Sequence, residues 1–148
     1  MDFVHLFTSF NGRISRQPFW IAWVIFFAIE TAGMFALPVV NSARLSSILS
    51  LLLIYPQFAV SLKRAYDRNM PTWVIGLFFA LDVAFEFLFL AGWITERDLA
   101  NPTPLAMSLL LPIAVFALAL LIELGFRRGT VGPNRYGPDP LDASGPPK

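Results

Sequence analysis

Polar and apolar residues separate into long blocks along this chain. Four apolar blocks, Phe19–Val40, Leu45–Leu62, Trp73–Trp93 and Leu105–Phe126, alternate with short polar stretches. A helix needs about 20 residues to cross the hydrocarbon core of a bilayer, and each block is near that length, the second being the shortest. None shows the alternation of a barrel wall, and backbone groups in lipid must pair internally, so the blocks predict four membrane-spanning helices. The punctuation agrees. Thr103-Pro104 offers an N-cap followed by proline at the first helical position; Ser15 with Pro18, and Pro71-Thr72, mark starts before the first and third blocks. Pro38, Pro56 and Pro112 fall inside blocks, where membrane helices tolerate proline with a kink. Trp20, Trp23, Trp73 and Trp93 lie near block ends, where indole rings favour the headgroup region. The first block is too long for a signal-peptide core and Asn41-Ser42-Ala43 is a poor cleavage site, so the span is expected to be retained. Ahead of it, Phe3, Leu6, Phe7 and Phe10 share one helical face and Gly12 offers a stop. Residues 1–12 therefore read as a short helix, lying in the membrane interface or packed on the bundle.

Composition supports this pattern. The chain is 56 % hydrophobic and 14 % charged, against about 25 % charged in soluble domains. A single all-α membrane domain over 1–148 is expected, ending in a polar tail over 127–148. There is no cysteine and one histidine, His5, which leaves no thiolate chemistry and no zinc set beyond carboxylates. No cofactor is expected, and the absence of a Ser/His/Asp set or Gly-x-Ser-x-Gly argues against an enzyme.

Charge sets the orientation. Arg13, Arg16, Lys63, Arg64, Arg68, Arg127, Arg128, Arg135 and Lys148 fall on one side of the four spans, and only Arg44 and Arg97 on the other. The positive-inside rule reads the first side as cytoplasmic, so both termini of the four-helix bundle are expected there.

Three segments on that basic side stand out: Phe10-Asn11-Gly12-Arg13-Ile14-Ser15-Arg16-Gln17-Pro18-Phe19-Trp20, Leu62–Trp73, and Gly129-Thr130-Val131-Gly132-Pro133-Asn134-Arg135-Tyr136-Gly137-Pro138-Asp139-Pro140. In order and spacing they resemble the domain of unknown function 805 family, the YhaH-like bacterial inner-membrane proteins, over nearly the whole chain. The resemblance rests on Gly-Arg-x-x-Arg-x-x-aromatic-Trp in the first segment and on the Gly-Thr-x-Gly-x-Asn pattern with its Gly-x-Asp-Pro ending in the third. The family's Leu-His-Asp corresponds here to Ala65-Tyr66-Asp67, so a role resting on that histidine does not carry over. The resemblance implies a small helical protein of the bacterial inner (plasma) membrane and no established activity.

Two sets of residues are candidates for function. Glu30, Asp82 and Glu86 fall near the centre of the first and third spans, where an ionised acid costs about 2.5–3.5 kcal/mol on insertion scales. They read either as a proton or cation path or as protonated carboxyls bonded to neighbours such as Gln57 or Thr31. Glu123 is placed to meet Arg127 one turn on. Small residues recur at Ala28, Ala32 and Ala36, and at Gly76, Ala80 and Ala84, about 200° around from the acids. Both faces of these spans then ask for protein or water, which points to a homo-oligomer.

The second set is the basic face: Arg13, Arg16, Lys63, Arg64, Arg68, Arg127, Arg128 and Arg135. It reads as topology plus attraction to anionic lipid headgroups, or more sharply as a defined anion site in which Gly129, Gly132 and Gly137 turn backbone N–H groups to a phosphate. No Walker sequence and no nucleic-acid reading module is present. Asp67 and Asp139 are expected to brace arginines, with Asn134 and Tyr136 shaping the loop. That loop is expected to pin the end of the fourth helix to the segments before the first and third.

Overall fold

The computed structural model describes residues 2–36, 42–101 and 103–142. Helix α1 (Phe3–Thr8) starts where the Asp2 carboxylate accepts the His5 N–H at 3.1 Å. It is followed by α2 (Arg16–Ala36), α3 (Ser42–Asp67), α4 (Thr72–Leu90), the short α5 (Glu96–Ala100) and α6 (Pro104–Leu121), which runs on into a π-helical turn, Ile122–Phe126. The Thr103 hydroxyl caps α6 by accepting the Ala106 N–H at 3.3 Å, with Pro104 in the first turn as its sequence predicts. Among the described residues there is no strand; the tail loop holds one isolated bridge, Asn134 with Gly137. The expected continuation of the first span over 37–40 and the tail beyond 142 lie outside the described residues.

Among the described residues, three helices are long and apolar enough to cross a membrane: Arg44–Asp67, Thr72–Leu90 and Pro104–Phe126. Leu52, Phe87, Leu111 and Val115 are exposed on them, an apolar surface of the kind that lipid covers.

The block expected to be the shortest span forms the longest of these helices. α3 continues through Pro56 and past Leu62 for 26 residues. Lys63 and Arg64 do not leave the helix for solvent; both are buried. The reason lies in α3's position. α1, α2, α4 and the π turn all pack on it, while α6 packs on α4 and reaches α2 and α3 through the π turn. The core gathers Phe19, Phe26, Val60, Ile75, Phe79 and Leu120, with edge-on aromatic pairs Phe58–Phe79 at 5.4 Å and Phe78–Phe116 at 5.5 Å. α1 is tied down by buried Leu6 and by Phe7 edge-on to Phe26 at 5.5 Å.

Candidate functional site

The three basic segments meet at one end of the molecule, and the end of α3 organises them. α3 stops in a paired reverse turn: the Met70 N–H reaches the Ala65 carbonyl at 2.9 Å and the Asn69 N–H reaches Tyr66 at 3.0 Å. Asn69 takes the left-handed conformation this requires, φ 55°. At 100° per residue, Lys63, Arg64, Asp67 and Arg68 share one broad face at the end of the helix.

Asp67 holds two arginines in the interior. Arg13 Nε and Nη2 donate to Oδ1 at 3.1 and 2.9 Å, and Arg64 Nη1 pairs with Oδ2. Arg13 also donates to the carbonyls of Thr130 (2.7 Å), Gly132 (2.9 Å) and Gly137 (3.1 Å). A buried guanidinium is tolerated only when its charge is paired and its donors are met, and Arg13 satisfies both conditions. Lys63 Nζ donates to the His5 and Leu6 carbonyls at 2.7 and 2.6 Å, closing the open C-terminal end of α1 with a cation.

The π turn presents its carbonyls in the same way. Leu124 accepts Arg64 Nε at 2.7 Å, Gly125 accepts the Trp20 indole at 3.1 Å and Phe126 accepts Arg16 Nη1 at 3.3 Å. Arg127 accepts Arg64 Nη2 at 2.6 Å, and Arg128 accepts Arg68 Nη1. Five successive carbonyls, 124 to 128, are thus capped by side chains of other elements. Glu123 completes the end by pairing with Arg68 and Arg127, each at 2.6 Å.

The tail loop returns the favour to α3. The Thr130 N–H and hydroxyl donate to the Asp67 carbonyl at 2.8 and 3.0 Å, and Asn134 Nδ2 donates to the Tyr66 carbonyl at 2.9 Å. Tyr136 stacks on Tyr66 with ring centroids 4.1 Å apart, and Arg135 lies over Tyr136. Gly129 is a packing requirement, since a Cβ there would fall on the Asp67 carboxylate.

These contacts divide the expected basic face. Arg13, Lys63 and Arg64 are buried and bond within the protein, so contact with lipid headgroups does not extend to them. Arg68 is half-buried against Glu123, while Arg16, Arg127, Arg128 and Arg135 remain exposed. Two of the three glycines expected to cradle an anion have their N–H groups engaged within the loop: the Gly132 N–H donates to Asp139 at 2.8 Å and the Gly137 N–H to the Asn134 carbonyl at 3.0 Å. Asp139 takes backbone N–H groups where an arginine was expected. The amides of Leu141 and Gly132 hold its carboxyl below the usual aspartate range. A polar cavity of about 370 Å³ beside the loop carries both signs, with Arg16 and Arg128 facing Asp139 and Asp142.

The carboxyl set lies along the helices away from this end. Glu30 of α2 accepts Gln57 Nε2 of α3 at 2.9 Å, and Glu86 of α4 is hydrogen-bonded by Ser47 of α3. Asp82 is within electrostatic reach of both Glu86 and Glu30. Gln57 is thus the neighbour of Glu30 that the sequence named. Among the described residues no three Asp, Glu or His side chains are grouped to hold a metal ion. The small-residue stripes are exposed at Ala28, Ala32, Ala80 and Ala84.

Sequence reasoning missed Thr130, which joins Asp67, Arg13 and Asn134 through one hydroxyl. Of the four tryptophans read near span ends, Trp20 and Trp23 pack against the core, while Trp73 and Trp93 are exposed. The Gly-Thr dipeptide after the arginines was the available signal for Thr130; nothing local marks an indole that turns inward.

Comparison with known proteins meets this geometry at the same residues. The family model for "Protein of unknown function (DUF805)" matches residues 7–138, from α1 to the end of the tail loop. The chain is 30 % identical over 143 residues to the "Uncharacterized protein YiiR" of Escherichia coli (strain K12), covering 90 % of this chain and 87 % of the relative. The YiiR of Escherichia coli O157:H7 matches to the same extent. No solved structure matches. On the extent of the family match and of this relative, the chain belongs to the DUF805 family.

Proposed function

We propose that this chain is a multi-pass protein of the bacterial inner membrane. In this reading α2 joins the three apolar helices as a fourth span, both termini are cytoplasmic, and the protein is a structural or interaction component, not an enzyme. Its basic end meets anionic headgroups through Arg16, Arg127, Arg128 and Arg135. The observation that carries the reading is the interlocked end of the bundle, which withdraws three cations into the interior and displays four arginines around a fixed base. A basic residue near an anionic surface contributes about 1 kcal/mol. The exposed stripes on α2 and α4 fit a homo-oligomer contact. Native mass spectrometry of the protein from phosphatidylglycerol bilayers tests the headgroup role. Arg128→Gln with Arg135→Gln should lower the bound anionic lipid, and unchanged binding sinks it.

A second reading is a small proton- or cation-coupled transporter. The carboxyls of α2 and α4 gathered on Gln57 and Ser47 of α3 favour it. In proteoliposomes carrying a pH dye, a flux that disappears in Glu30→Gln or Asp82→Asn supports this reading. Absence of flux under every imposed gradient removes it.

A further inference from the structure

We infer that the mixed-sign cavity beside the tail loop seats the phosphoethanolamine headgroup of a membrane lipid, its phosphate on Arg16 and Arg128 and its ammonium on Asp139. The cavity, about 370 Å³, falls within the roughly 300–1,000 Å³ of small-molecule sites. Its charged lining residues are Arg16, Arg64, Arg128, Asp67, Asp139 and Asp142. Arg64 and Asp67 are buried and bonded to each other and to their neighbours. That leaves Arg16 and Arg128 of one sign, and Asp139 and Asp142 of the other, on the open side. A ligand of a single sign would be drawn by one pair and repelled by the other, whereas a zwitterion matches both. Arg128 and Asp139 lie within electrostatic reach of each other without forming an ion pair. Among the described residues the Arg128 guanidinium has no hydrogen-bond partner. Arg16 uses only Nη1 of its fork, on the Phe126 carbonyl at 3.3 Å. The carboxylate end is built in advance: the Gly132 and Leu141 amides fix Asp139 at 2.8 and 3.0 Å and keep it ionised. Each of its oxygens can accept a second bond.

Position selects a lipid as the source. Asp67 ends one apolar helix, and Arg128 follows the end of another, Phe126, by two residues. The cavity therefore lies at the level where spans leave the hydrocarbon and phosphates begin. Val131 and Leu141 also line it, and they are 73 % and 70 % exposed. Bare apolar side chains beside paired charges suit a molecule whose polar head continues into hydrocarbon; a soluble zwitterion would leave them in water. The ammonium must be primary, because the Asp139 oxygens accept N–H donors and a trimethylammonium has none. A headgroup without a cation would set its phosphate against Asp139 and Asp142. The inference rests on the membrane reading of the chain and is separable from its anionic-lipid arm.

The full chain is reconstituted in dioleoyl bilayers holding equal parts of phosphatidylethanolamine, phosphatidylcholine and phosphatidylglycerol. Recovery with the vesicles after alkaline carbonate tests the membrane reading first; release of the chain overturns that reading and this one together. The embedded protein is then extracted in mild detergent and weighed by native mass spectrometry. One retained phosphatidylethanolamine is expected, preferred over phosphatidylcholine roughly tenfold, the weight of one hydrogen bond to a charged group. Asp139→Asn should abolish that preference without lowering phosphatidylglycerol retention. Arg128→Gln should lower retention of all three lipids, since each carries the phosphate. A headgroup series on the wild type does not depend on any variant folding: retention should fall as the ammonium is methylated once, twice and three times. A flat series overturns the proposal, as does a preference that survives Asp139→Asn. Displacement of the lipid by an equal concentration of free phosphoethanolamine assigns the cavity to a soluble zwitterion and overturns the lipid. Preference for phosphatidylglycerol, lost in Arg128→Gln with Arg135→Gln, leaves the anionic-headgroup reading standing and this one refuted. Preference for phosphatidylethanolamine in a protein that retains no phosphatidylglycerol does the reverse.

Discussion

Arg13 has five N–H donors and uses all of them, two on Asp67 and three on the carbonyls of Thr130, Gly132 and Gly137. A lysine could keep the charge but not this fork. Removing the shared acid leaves two buried guanidinium groups without their counter-ion, which costs about 3–5 kcal/mol. Asp67→Ala should therefore lower the Tm of the detergent-solubilised protein sharply, whereas Arg128→Gln, at an exposed site, should hardly move it. Gly129→Ala drives a methyl onto the same carboxylate and should also destabilise. Gly76→Ala meets nothing within 4 Å and should be neutral or stabilising, as alanine is the better helix former. If both glycine variants melt alike, the close approach of Gly129 to Asp67 is wrong. Asp139 gives a pH signature. Its folded pKa lies below the ordinary 3.8 because the Leu141 and Gly132 amides donate to it. Its contribution is therefore complete above that unfolded value and is lost only as pH falls through the lower, folded one. The amide resonances of Gly132 and Leu141 should move together in strong acid, and that step should be missing in Asp139→Asn.

At the level of elements, α3 and the π turn cap one another. α3 sends side chains to the carbonyls of the turn, and the tail loop sends Thr130 and Asn134 back to those of α3. The extra residue of a π turn sets where the following carbonyls point. Deleting Ile122 would rotate the succeeding residues by about 100° and take Arg127 and Arg128 away from Arg64 and Arg68. Such a deletion should lower the yield of folded protein and the Tm, while Ile122→Ala, at a position 49 % exposed, should retain both. The apolar blocks made α4 and α6 legible to within a few residues, because lipid-exposed helices are written in composition. α3 was read short because Lys63 and Arg64 look like the end of a span. The carbonyl ends of α1 and the π turn, with the Asp67 carboxylate beside Arg64, are what offset their burial. The π turn itself has no local signature.

For the whole molecule, the orientation reading makes a sharp prediction. The chain has no cysteine, so single cysteines can be introduced without background. Thr95→Cys, at the end opposite the charged lock, should react with an impermeant maleimide from the periplasm, and Arg135→Cys should react only after the membrane is opened. The reverse pattern would place the basic end outside and contradict the positive-inside assignment. The lock and the carboxyl set lie at different levels of one bundle joined by α3, so both readings of function require α3 to hold its register.

The sequence alone determined the helical character, the extent of the apolar blocks, the crowding of cations on one side and the family. Each of these depends on composition and spacing along the chain, which need no knowledge of neighbours. The tertiary structure decided which cations are inside and which are displayed, that Asp67 serves two arginines, and that Gln57 meets Glu30. A side chain's partners are set by elements distant in the chain: Arg13 and Gly132 meet across 119 positions. The linear order of residues does not state which carbonyl ends face which donors until the helices have packed.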